Sequence, residues 1–138
     1  MHVRVVAFLL CAVLFFLMTG CGGNERASRD AFVGTWDGHT RRLVISADGR
    51  GREIVDSGCC TRVVTARFRL LNVRGTPTNA VATIRFTFVQ INRGIFAETH
   101  RTPPTAGQVA ALHLRRGVVK DEATTVTFCA ADVDKCGL

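Results

Sequence analysis

The sequence has no tyrosine, one tryptophan, three prolines and only two lysines, Lys120 and Lys135. Without tyrosine the surface lacks a common recognition residue, and with so little lysine a net charge of +7 rests almost wholly on arginine. No Gly-x-Ser-x-Gly element is present, so a nucleophile elbow is excluded; Asp37, His39 and Ser57 could be drawn as a hydrolytic set, but nothing in their spacing brings them together. The aromatic-interleaved RNA-binding signature is missing as well, and nucleic acid is not an expected partner. The longest apolar run, 5–18, falls short of the about 20 residues a membrane-spanning helix needs.

That length fits the hydrophobic region of an export signal. His2 and Arg4 give the positive start, and Thr19 and Gly20 are small residues of the kind found beside a cleavage point. Met18, Thr19, Gly20 and Cys21 together resemble the bacterial lipoprotein box. The resemblance implies removal of residues 1–20 and a diacylglycerol, with acyl chains such as palmitate, joined through a thioether to Cys21. An ordinary signal peptide with an incidental cysteine is the plainer alternative. At about 0.8 kcal/mol per buried methylene, several acyl chains hold a protein to a bilayer essentially permanently. The expected location is therefore the extracytoplasmic face of the cell membrane, lipid-anchored. Residues 22–30 are polar and glycine-led, so 21–31 reads as a flexible tether. The remainder, 32–138, has the size of one domain, beginning near Phe32.

Cys11 lies within the signal and Cys21 is assigned to lipid, leaving Cys59, Cys60, Cys129 and Cys136. Four thiols in an oxidising compartment argue for two disulfides. Adjacent α-carbons lie about 3.8 Å apart, whereas disulfides prefer about 5.5 Å, which disfavours Cys59 with Cys60. Both other connectivities staple the middle of the chain to its C-terminus, closing loops of roughly 70 residues at about 4 kcal/mol each as an upper guide. Zinc competes for the same thiols, but a vicinal pair aims poorly at one tetrahedral ion and the spacing from Cys129 to Cys136 is too wide for a usual ligand pair.

Turn-forming clusters, ADGRG, DSGCC, RGTPTN, RTPPTAG and RRG, separate segments rich in Val, Ile, Thr and Phe. Ala82, Ile84, Phe86 and Phe88 alternate with Thr83, Arg85 and Thr87, giving one apolar and one polar face. The same alternation appears at Ala66, Phe68 and Leu70 against Arg67 and Arg69. It recurs at Ala110, Leu112 and Leu114 against His113 and Arg115, and at Val126 and Phe128 against Thr125 and Thr127. The pattern predicts an all-β domain of about seven strands, at 33–39, 42–47, 51–57, 61–73, 80–92, 108–115 and 118–129. Such an antiparallel meander closes into a small disulfide-stapled barrel, or folds as a sandwich, to hide its edges. The longest loop is expected at 94–107.

Val33, Gly34, Thr35 and Trp36 resemble the G-x-W element of lipocalins and related calycins, which implies a tryptophan plugging the closed end of a barrel. More broadly, GTWDGHTRRLVISADGRG, SGCC and the C-terminal FC and CG are similar to small secreted lipoproteins of actinobacteria. That similarity implies location and no particular chemistry.

No metal or cofactor is implied. His39, His100 and His113 sit in separate segments, and Asp48 and Gly49 lack the alternating acidic ligands of a calcium loop while suiting a hairpin turn. The chain reads as non-enzymatic, with two candidate roles. In the first, the barrel interior or open rim accepts an apolar envelope molecule such as a lipid, against a face that includes Phe68, Phe86, Phe88 and Phe128. In the second, the core is filled and arginine-bearing faces, including Arg62, Arg67, Arg69, Arg85 and Arg115, contact an acidic polymer or partner protein. Interior volume separates the two.

Overall fold

A computed structural model describes residues 26–58, 61–97 and 102–133. Cys21, Cys59, Cys60, His100 and Cys136 lie outside the described residues, as does the expected signal segment.

Eight strands follow one another: Gly34–Gly38 (β1), Arg41–Ile45 (β2), Arg50–Ser57 (β3), Thr61–Thr76 (β4), Asn79–Ile91 (β5), Val109–Arg115 (β6), Val118–Asp121 (β7) and Thr127–Cys129 (β8). Each pairs antiparallel with the next, and β8 returns to β1, so the meander closes into a barrel. Closure removes the two edges that an open sheet of these strands would expose. The barrel, rather than the sandwich, is the architecture adopted.

The expected seven strands become eight because the last one breaks at Asp121. There the side chain turns inward, its Oδ1 accepts from the Ala123 N–H at 2.8 Å, and Thr125 takes a positive φ of 56° before β8 begins. A short helix, Arg93–Ala97 (α1), occupies the start of the predicted 94–107 loop and buries Phe96 in the core. Folded structure also starts earlier than Phe32. The Ala27 N–H donates to the Gly75 carbonyl at 2.8 Å, and a 3-10 helix spans Arg29–Phe32 with Ser28 as its N-cap. Phe32 is fully buried, and its carbonyl accepts from the indole N–H of Trp36 at 2.9 Å.

Inward positions along the strands fill the interior. Phe32, Leu43, Ile45, Phe68, Ile84, Phe86, Leu112, Val119 and Phe128 are each at most 1% exposed, and Phe68 meets Phe86 edge to face, with centroids 6.2 Å apart. Gly51 sits opposite Phe68, and a Cβ built on it would come within 2.1 Å of that ring, so only glycine leaves room.

Two register irregularities in the pairing of β4 with β5 alter the expected faces. Arg67 pairs with Phe88 and Phe68 with Phe86, leaving Thr87 as an extra residue; a second slip leaves Leu71 unpaired between Leu70 and Asn72. A bulge of this kind places two residues of one strand opposite one of the other and re-aims side chains. Phe88, assigned inward by alternation, is consequently 41% exposed on the outside of the barrel.

Candidate functional site

The arginines of β3 and β4 are all exposed; Arg62 and Arg74, of opposite parity to Arg67 and Arg69, reach the outer face through the register slips at Val63 and Leu71. Across β3 and β4, Arg50 stands opposite Arg69 and Arg52 opposite Arg67; across β4 and β5, Arg69 stands opposite Arg85. Like charges directly opposite on neighbouring strands destabilise a sheet, each by something of order 0.5 kcal/mol, so this placement does not serve the fold. Between them lies a cavity of about 550 Å³ lined by Val44, Arg50, Arg52, Arg67, Arg69 and Thr87, with Gly51 and Phe68 at its floor.

Charge in this groove is poorly matched. Asp48 pairs with Arg50 at 3.2 Å. Among the described residues, Arg52, Arg67, Arg69 and Arg85 have no carboxylate within 4.0 Å. Arg67 instead lies over the Phe88 ring, 5.4 Å from its centroid, a contact the Thr87 bulge creates. A cation held over an aromatic face keeps its charge and its donors available to an incoming anion.

A neighbouring cavity of about 370 Å³ makes an instructive contrast. Arg41, Arg42 and Arg62 line it; Arg42 Nε donates to Asp37 at 2.6 Å and Arg62 Nε to Asp56 at 2.5 Å, so two of its three charges are already answered. Of the arginines expected to make contacts, the structure thus gathers Arg67, Arg69 and Arg85, adds Arg50 and Arg52 from β3, and sets Arg62 apart. Arg115 lines a separate cavity with Arg74 and His113.

A second polar cluster lies inside the barrel, and sequence patterning did not single it out. Glu53 on β3 and Asp121 on β7 are both fully buried, and the Thr124 hydroxyl donates to Glu53 Oε1 at 3.0 Å. Burial pushes the Glu53 carboxyl well above its ordinary range; the adjacent Asp121 carboxylate and its hydrogen bond push further the same way, and Thr124 opposes them weakly. The protonated form of Glu53 is thereby favoured in the fold; Glu53 Oε2 and Asp121 Oδ2 are buried carboxylate oxygens with no hydrogen-bond partner outside the pair. Neither carboxylate lines the surface cavities described here, and neither has exposed surface.

Among the described residues, no hydrogen bond joins Asp37, His39 and Ser57. Asp37 is engaged by Arg42, His39 lies in the turn between β1 and β2, and Ser57 ends β3. His113 faces Glu122 at 3.9 Å. No group of three or more metal-ligating side chains occurs among the described residues. The sulfur of Cys129 is disulfide-bonded; the other three candidate cysteines lie outside the described residues, so the pairing is left open.

The chain matches no protein-family model, no curated protein and no solved structure.

Proposed function

We propose that the protein is a non-enzymatic, lipid-anchored module on the extracytoplasmic face of the cell membrane, and that it binds an acidic partner on the outside of its barrel. The observation that carries this reading is the groove itself: Arg52, Arg67 and Arg69, uncompensated by carboxylates, around a cavity with an apolar floor. The packed interior favours the filled-core role over an internal apolar ligand, because Phe68, Phe86 and Phe128 occupy the space such a ligand needs. Phe88, counted toward that internal face by alternation, serves the outer groove instead.

The test is anisotropy of fluorescent polyglutamate with the full-length protein in detergent. Replacing Arg52, Arg67 and Arg69 with glutamine together is expected to weaken binding about tenfold, at about 0.5 kcal/mol for each exposed ion pair. Binding by the unaltered protein should fall as salt screens the contact. Equal affinity for the triple variant would remove the groove as the site. Native mass spectrometry adds an independent arm, since a lipid retained until the barrel unfolds would move the site inside.

A further inference from the structure

The groove does not stand alone on its face. The exposed large hydrophobic residues of the described chain are Val44, Leu71, Phe88 and Val109. All of them border the same arginines. Val44 pairs with Arg52, Phe88 with Arg67 and Val109 with Arg85, while Leu71 is the residue that the second slip leaves out of the β4 ladder. Cross-strand rows therefore read Val44, Arg52, Arg67, Phe88 and, beside it, Arg50, Arg69, Arg85, Val109. Apolar side chains at the margins of a basic face match an interface that is anionic at its surface and apolar just beneath it. A soluble acidic polymer has use for the arginines but none for Phe88 or Val109.

We propose, resting on the groove reading above, that the acidic partner is the anionic headgroup layer of the membrane itself. Headgroup phosphates enter the groove among Arg52, Arg67 and Arg69, while Val44, Leu71, Phe88 and Val109 dip below them. The barrel lies on the bilayer and does not cross it, for its apolar residues line the inside and its charges the outside, the reverse of a spanning barrel. The chain enters the fold beside Gly75, near the end of β4, and reaches the groove's edge at Arg29. Arg29 donates to the Asp48 carbonyl at 3.4 Å and packs against Gly49, in the turn that leads straight into Arg50 at the groove. An anchor at Cys21 lies five residues before Arg26, a reach of about 18 Å at full extension, which keeps this end of the barrel close to the lipid.

The experiment labels arginines with phenylglyoxal on the full-length chain in vesicles and reads each site by mass spectrometry. Vesicles of phosphatidylcholine are compared with vesicles containing phosphatidylglycerol, and a third sample has phosphatidylcholine with soluble polyglutamate. The expected result is modification of Arg52, Arg67, Arg69 and Arg85 slowed about threefold or more by phosphatidylglycerol, with Arg74 and Arg115 unchanged. Phe88→Ser is expected to reverse much of that protection while leaving polyglutamate protection in place. Protection by polyglutamate alone would overturn the membrane inference and leave the groove as an acidic-partner site. Protection by neither overturns both readings. Equal slowing at Arg74 and Arg115 would reduce the effect to general charge attraction and overturn the docking face.

Discussion

Glu53 keeps its proton in the folded barrel at pH values where the unfolded chain has released it. Its folded-state value lies well above the ordinary 4.5, so between the two the native state binds more protons and stability falls as pH rises. The contribution is fully present below the ordinary value and is lost as pH climbs through the raised one. Glu53→Gln keeps an acceptor for Thr124 and a donor toward Asp121 but cannot ionise. Thermal midpoints measured from pH 5 to pH 9 are expected to fall less steeply for this variant than for the unaltered protein; parallel curves would mean that Glu53 is ionised in the fold. The inward position of Glu53 was legible in the sequence, since Arg50 and Arg52 set the outward face of their strand and leave 51 and 53 inside. Its partner was not, because Asp121 comes 68 residues further on and meets it only when the barrel closes. Gly51 offers a second residue-level test. Gly51→Ala puts a methyl group against the Phe68 ring and is expected to cost about 1–3 kcal/mol in urea unfolding. Adding Phe68→Leu should recover part of that loss, and a strictly additive pair would show that the two do not share space.

Elements followed their local patterns wherever the alternation ran unbroken. The 61–73 and 80–92 predictions correspond to β4, Thr61–Thr76, and β5, Asn79–Ile91, because arginine and threonine on one parity and Val, Ile, Phe and Ala on the other leave one way to face a core. What alternation could not reveal was the Thr87 bulge, an event between two strands rather than within either. It is also what turns Phe88 toward Arg67 at the edge of the groove. Deleting Thr87 should convert the bulge to a regular ladder: Phe88 stays opposite Arg67, Val89 and Ile91 keep their faces, and the barrel folds. Deleting Val81, which pairs with both Arg74 and His113 in unbroken ladder, shifts the rest of β5 by one and flips its core face outward. Circular dichroism and gel filtration are expected to show a folded monomer-sized species for the first and an unfolded or aggregated one for the second. Equal tolerance of both deletions would mean that register in β5 is not fixed by the core.

At the scale of the molecule, the closing seam is the thinnest part of the barrel. β8 has three residues, and its pairing with β1 rests on Asp37 opposite Cys129, compared with twelve paired positions between β4 and β5. The disulfide at Cys129 therefore sits where hydrogen bonding is least able to keep the cylinder shut. A cross-link placed there narrows the unfolded ensemble and tethers β8, and its loss is expected to cost about 2–4 kcal/mol. Cys129→Ser should lower the thermal midpoint and, in native-state hydrogen exchange, speed exchange in β1, β7 and β8 while leaving β4 and β5 protected until global unfolding. The outer groove spans β2–β5, away from this seam, so polyglutamate binding should survive the substitution at temperatures where the barrel remains folded. Uniformly faster exchange across all strands would show instead that the disulfide acts only through the unfolded chain and that β1 and β8 hold without it.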